Sequence, residues 1–404
     1  MRRWQKYESN FFSNFLNHHQ LPFCLEMTKH IGDNFTFVET EPIEQERLDM
    51  GYEDMGEKYP FSLKSYKNNE CYKLALRLGI ESDIVIIGSA PEIFIQERMK
   101  NNKVTFRYTE RILKEGLVRI LDPRVVYGIW NQNTRYRNKN MYLLCASAYT
   151  AYDMHLFGAY PQKKYKWGYF PKVEKYDIDR LIENKRKNGE IVILWAGRFL
   201  KWKHPEVAIK IAQLLKKHGY KFKLILIGDG ELKESLVSYV NQNQLQDVVD
   251  FKGFMNPNEV RKHMEKADIF LFTSDYNEGW GAVLNEAMNS GCAVVASHAI
   301  GSVPFLIKHK TNGMVYKNGD IEELLNMVMQ LSDNDKMREN LGRQAYSTLV
   351  EEWNAENATI NFLQLAQAIL NGEKIEISSG PCSISKTVSQ RKMYNFLREG
   401  TEHE

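Results

Sequence analysis

Short, unbroken apolar runs recur along this chain, each followed by a stretch with helical spacing, and no other feature restricts the fold as strongly. Asp83-Ile-Val-Ile-Ile-Gly88, Ile191-Val-Ile-Leu-Trp-Ala196, Phe222-Lys-Leu-Ile-Leu-Ile227, Ile269-Phe-Leu-Phe272 and Ala293-Val-Val-Ala296 are of this kind. A strand that is apolar on both faces is expected inside a parallel sheet, where crossover helices cover both sides. The stretch from about 206 to 217 supplies one such helix, with Val207, Ile211, Leu214 and Leu215 at helical spacing. Strands alternating with helices predict an α/β protein of doubly wound sheets. At 404 residues the chain exceeds one ordinary core, so two domains are expected.

In the first half, strands are expected near 10–16, 35–40, 83–88, 104–108 and 142–147. A helix begins near Leu21, where Pro22 suits a first turn. The polar, Tyr-rich region up to about 67 has no clear period and reads as a long loop. Residues 167–171 read as a short strand leading out, and the charged stretch 172–190 as a linker. The second half opens with the strand at 191–196 and continues through strands at 222–227, 248–251, 269–272 and 293–296. Beyond 300 helices dominate, at 321–331, 336–351 and 355–370, with a break at 378–383 and a last helix at 388–398.

Hydrophobic residues make up 43% and charged residues 26%, the balance of a globular protein. No apolar run approaches the roughly 18 residues of a spanning helix, and the start lacks a signal-peptide core, so a cytoplasmic protein is expected. The five cysteines are scattered without a C-x-x-C pair, which indicates neither a disulfide framework nor a zinc site. Net charge is only +3, but residues 98–139 hold eleven Lys/Arg against three acids. That patch reads either as a solvated surface or as a peripheral contact with an anionic membrane at its inner face, or with a lipid-linked phosphate. Nucleic acid is not expected, since no reader motif accompanies it.

Between the last two apolar runs lies Asp275-Tyr-Asn-Glu-Gly-Trp-Gly-Ala-Val-Leu-Asn-Glu-Ala-Met-Asn-Ser-Gly291. Glu278 is expected in the turn and Glu286 about two turns into the following helix. Gly279 and Gly281 leave backbone N–H groups near the helix start open to an anion. One acid on each side of an anion hole suits a ligand that is half sugar and half phosphate; the plainer reading is a helix acid and a solvated surface acid. Other motifs fail: after Gly228-Asp-Gly230 the third dinucleotide glycine is replaced by Lys233, and Asp177-Ile-Asp179 and Asp333-Asn-Asp335 sit beside helix starts, where Asp caps are common. No metal and no cofactor are expected.

This stretch resembles the E-x7-E motif of glycosyltransferase family 4, retaining enzymes with the GT-B fold, two Rossmann-like domains facing across a cleft. The resemblance is specific over 190–370 and general over the first half. It implies an acceptor-binding domain at 1–172, a nucleotide-sugar-binding domain at 173–375 and a tail, 376–404, crossing back to the first domain. Arg198 and Lys203 match the family's pair that holds the donor diphosphate. By the same resemblance Glu286 holds the ribose hydroxyls and Glu278 the donor sugar, while Gly279, Trp280 and Gly281 present backbone donors. Gly253 and Phe254 match a loop bordering the base, with a turn around a buried Phe as the alternative. In the first domain the usual Gly-rich loop is replaced by Asn17-His18-His19-Gln20, where His18 or His19 supplies a contact instead or lies idle on the surface. Tyr108-Thr109-Glu110-Arg111 resembles the Tyr-Ser-Glu-Arg of surface-polysaccharide transferases, which makes Glu110 the candidate for the acceptor hydroxyl. The implied reaction takes a sugar, hexose or N-acetylhexosamine, from a UDP- or GDP-linked donor to a glycan or lipid-linked acceptor in capsule, O-antigen or exopolysaccharide synthesis. Its alternatives are a 2-epimerase or hydrolase of the same fold and a non-catalytic binding module.

Overall fold

The computed structural model describes residues 4, 7–45, 48, 53–186 and 189–399. Most of the first six residues, on which the signal-peptide expectation rests, and the last five of the expected tail lie outside them. The chain forms two compact units, one of Met1–Lys172 with Trp353–Thr387, the other of Val173–Glu352 with Val388–Glu404.

Unit 1 is built on seven strands, β1 (Ser9–Ser13), β2 (Phe35–Glu39), β3 (Ser62–Lys64), β4 (Ile84–Ile87), β5 (Thr105–Thr109), β6 (Met141–Cys145) and β7 (Lys164–Lys166). Their order is β3-β2-β1-β4-β5-β6-β7, with every pairing parallel. The central strands are fully buried, as expected of a sheet covered on both faces. The helix Ala355–Asn371 supplies part of the cover: Phe362 packs edge-on against Phe23, Phe106 and Trp167. The edge at β7 is closed by residues 382–385, which exchange backbone hydrogen bonds with Lys164 and Lys166, so this edge offers few open groups to another chain.

Unit 2 has six parallel strands, β8 (Ile191–Ala196), β9 (Phe222–Ile227), β10 (Val249–Gly253), β11 (Ile269–Phe272), β12 (Ala293–Ser297) and β13 (Met314–Tyr316), in the order β10-β9-β8-β11-β12-β13. Trp195, Phe199, Ile211, Leu215, Leu226, Leu271 and Leu324 lie in one contiguous buried core. Each such side chain contributes about 1.5–3 kcal/mol by leaving water.

Several expectations are corrected. The strand leading out of unit 1 is Lys164–Lys166, before the expected 167–171; Trp167 and Phe170 are instead buried with their rings packed together. The linker at 172–190 holds a helix, Ile178–Arg186, whose Ile182 is buried and whose Lys185 donates to the carbonyls of Met264 and Ala267. Two strands of three residues, β3 and β13, stand where a loop and helices were expected. The return to unit 1 begins at Trp353, earlier than 376, and the final helix Gln390–Glu399 belongs to unit 2.

Candidate active site

In an open parallel sheet a ligand binds at the carboxyl ends of the strands, where the strand order reverses. In unit 2 that point lies between β8 and β11. The loop after β8 carries Arg198 and Lys203; the loop after β11 carries Glu278, with Glu286 in the helix Val283–Asn289. Thr273 joins the two loops: its hydroxyl donates to the carbonyls of Lys203 and His204 and accepts from Trp195 Nε1 at 2.8 Å. The Asp275 amide donates to the Trp202 carbonyl at 3.0 Å.

Lys203 Nζ is ion-paired with Glu278 Oε2, which also accepts from Ser274 Oγ at 3.0 Å. Their side chains are only 14% and 8% exposed, and Lys203 Nζ lies 4.4 Å from the centre of the Trp202 ring. Arg198 is exposed, five residues before Lys203 on the same loop. The loop is fixed by the turn after β9: a Cβ on Gly228 would stand 1.9 Å from the Gly197 carbonyl oxygen, so only glycine allows this approach.

His204 and Asp275 complete the arrangement and were missed as site residues. His204 sits in left-handed backbone, φ 52°, with Nδ1 2.8 Å from Glu206 and Nε2 3.3 Å from Asp275. Asp275 first, then Glu206, raise its pKa to about 9, against the opposing effect of burial. Burial pushes the Asp275 carboxyl up, yet His204 and the Asn277 amides bring it below its usual value. The Lys-His-Pro sequence hints at this site, because Pro205 starts the next helix and His204 must turn the chain into it.

Gly281, at φ +80°, delays the helix, so Glu286 lies in its first turn and not two turns in. A Cβ on Gly281 would also meet Phe272 Cζ at 2.4 Å. Crowding by protein atoms pushes the Glu286 carboxyl up to about 7, with Arg261 pulling it the other way. Arg261 stands 25 residues before Glu286, and nothing in the sequence pairs the two. The Trp280 ring is fully buried and donates to Asn285 Oδ1 at 2.9 Å, so it anchors the Gly279–Gly281 turn. Gly253 has φ +72° and its carbonyl accepts from Gly228, while Phe254 is 59% exposed, which removes the buried-Phe reading.

In unit 1 the strand order reverses between β1 and β4. The loops there line two cavities, of about 320 and 880 Å³, that share Asn14, Ser89, Tyr108 and Tyr169. His18 and His19 line the smaller; His19 stacks on Tyr169 with rings 13° from parallel. Glu110 lines the larger, accepts from Tyr169 OH at 2.5 Å and pairs with Lys114 at 2.6 Å. Burial, with the Glu110 charge, raises the Tyr108 hydroxyl well above its usual value. Arg111 is held beneath this cavity by Asp153, whose carboxylate also accepts from the Ile112 and Leu113 amides at 3.0 Å. Arg98, Arg107 and Arg111, three of the eleven basic residues at 98–139, are therefore buried and not part of a solvated patch.

Residues 177–348 match the family model described as Glycosyl transferases group 1. This region is similar to that family, and it spans nearly all of the continuous part of unit 2. The amylovoran biosynthesis glycosyltransferase AmsK of Erwinia amylovora is 33% identical over 148 residues, 35% of this chain and 36% of that protein. The poly(ribitol-phosphate) alpha-N-acetylglucosaminyltransferase of Staphylococcus aureus is 26% identical over 181 residues, 45% of this chain and 36% of its own length. Each match covers little more than a third of the relative. Over the whole fold, Anabaena Alr3699/HepE in complex with UDP superposes with TM-score 0.66 at 15% identity, covering 90% of this chain and all of that one. The fold is GT-B, with two parallel-sheet α/β units.

Proposed function

We propose that the protein moves a sugar, with retention of configuration, from a nucleotide diphosphate sugar to a glycan or lipid-linked acceptor in the synthesis of a bacterial surface polysaccharide. The observation that carries this reading is the placement of Arg198, Lys203 and Glu278 on the two loops at the strand reversal of unit 2, with Glu286 in the helix that follows. A departing diphosphate needs fixed positive charge, which is worth several kcal/mol in a site shielded from water. Arg198 grips it through its planar fork, and Lys203 contributes a point charge. Glu278, beside Lys203, faces the donor sugar and opposes positive charge on the ring; Glu286 takes the ribose hydroxyls. Phe254 offers an exposed ring to the base, and Gly279 and Gly281 keep the backbone low at the phosphates. In unit 1, Glu110, with His18 and His19 on the neighbouring loop, lines the acceptor side. The leaving phosphate takes the acceptor's proton, so no protein base is required.

The names of the relatives support a polysaccharide setting, and UDP in the HepE structure supports a uridine donor over GDP. Isothermal titration with UDP and GDP on wild type and Arg198→Ala tests the reading. UDP binding that weakens at least tenfold in the variant is expected; unchanged affinity for both nucleotides overturns the placement of the diphosphate.

A further inference from the structure

One segment of unit 1 carries an unusual surface. The turn Leu117–Leu121 and the helix Pro123–Gln132 expose Leu117, Val118, Leu121, Tyr127 and Trp130 by 50–80%. Tyr127 and Trp130, three apart on the helix, stack on each other with ring centres 6.3 Å apart. Single exposed apolar residues are ordinary, but five within fourteen positions form a contiguous patch of the kind that marks an interaction surface. Arg119 and Arg124 stand among them, with Arg124 92% exposed. After the three buried arginines are set aside, eight Lys/Arg of 98–139 remain against three acids, a surface excess of five positive charges.

The same helix is also a wall of the 880 Å³ cavity, through Arg124, Val125, Gly128, Ile129 and Gln132. Five cationic side chains line that cavity, Arg107, Arg111, Lys114, Arg119 and Arg124, against Glu41, Glu92 and Glu110. Arg107 is only 6% exposed; its Nη2 pairs with Glu92 at 2.6 Å while its Nε is buried without a hydrogen-bond partner. A buried guanidinium N–H left unmade is costly unless a ligand oxygen meets it.

We propose that residues 117–132 rest on an anionic lipid surface and that the adjoining cavity takes an acceptor anchored in that surface through a phosphate-bearing headgroup. Apolar and aromatic side chains enter the interface, arginines meet lipid phosphates, and the helix between them brings the headgroup to Arg107 and Glu110. Among the described residues no helix is long and apolar enough to cross a membrane. The acceptor half of the proposal rests on the transferase reading; the lipid contact does not.

The full chain is sedimented with vesicles of phosphatidylcholine alone and with vesicles containing phosphatidylglycerol, beside the variant Leu121→Ser/Trp130→Ser, whose side chains are exposed and leave the core intact. Wild type is expected to bind the anionic vesicles at least tenfold better than the neutral ones, and the variant to lose that binding while its UDP affinity is unchanged. Equal binding of wild type and variant overturns the proposal, as does a dimer of the wild type that disappears in the variant without any vesicle binding, which assigns the face to a second copy. For the headgroup, Arg107→Gln is titrated with a short-chain lipid phosphate: at least tenfold weaker binding is expected, and unchanged binding overturns the cavity assignment. Lost UDP binding in wild type condemns the transferase reading and leaves the vesicle result standing.

Discussion

Each unit presents a glutamate paired with a lysine beyond the carboxyl ends of its strands, and the two pairs are built in opposite ways. Glu278 and Lys203 are 8% and 14% exposed, with Ser274 on the same carboxylate oxygen and two loops bonded around them. Glu110 and Lys114 are 25% and 36% exposed, four residues apart on one loop, beside a large open cavity. The first pair is preorganised, with little left to rearrange when a ligand arrives. The second is adaptable, a setting that suits a partner of variable shape. The difference teaches that a buried pair tied into two loops is fixed before any ligand arrives, whereas an open pair on a single loop is free to shift.

Removing the acid separates the two pairs most sharply. Glu278→Ala strands a nearly buried lysine and should cost about 3–5 kcal/mol, while Glu110→Ala, at a partly solvated pair, should cost below about 1 kcal/mol. Denaturant midpoints of both variants measure this, and equal losses would erase the distinction. Next in size is Arg198→Ala, which should weaken nucleotide diphosphate binding by about 10- to 100-fold, the worth of a charged hydrogen bond, with the melting temperature unchanged.

Glu286 gives a pH-dependent prediction. Its folded pKa of about 7 lies above the ordinary 4.5 because burial disfavours the charge. Its contribution to stability is therefore fully present below about 4.5 and lost as pH rises through 7, so Glu286→Gln should gain stability relative to wild type at pH 8 and not at pH 4. A ribose hydroxyl favours the ionised acid, so the wild-type advantage over Glu286→Gln in UDP affinity should grow roughly tenfold from pH 6 to pH 8. An advantage that stays flat with pH would place the ribose elsewhere.

The smallest effect is at His204. With a folded pKa near 9 against 6.5, its bridge stabilises fully below 6.5 and fades as pH rises through 9. His204→Asn keeps a residue that tolerates left-handed backbone and should lower stability at pH 6 by less than about 1 kcal/mol, since the pair is partly solvated. The deficit should vanish at pH 10, and one that persists there would show that the bridge is not its source.

Much of the fold was legible because apolar runs such as 191–196 and 269–272 are buried on both faces and so carry their strand character in composition alone. β3 and β13 were not, since three residues hold too little pattern to separate from a loop. That Arg198 and Lys203 share one loop and that Glu278 falls on the loop facing it was legible through spacing that the backbone preserves. Glu286 was misplaced by almost a turn because Gly281 spends residues in a left-handed bend before the helix starts. Tyr169 and Glu110, 59 residues apart, meet only through packing, and no local signal announces such a pair.

The chain path has a practical consequence for engineering. The domain that carries the group 1 match lies inside the single stretch Val173–Glu352, whereas unit 1 is written in two pieces, the second being Trp353–Thr387. In genetic terms the domain is an insert in unit 1 and not an appendage to it. A domain exchange with a relative spliced only at residue 172 would leave unit 1 without the helix that carries Phe362, and Phe23, Phe106 and Trp167 would lose their cover. A working chimaera has to respect the junctions near 172, 353 and 387 together.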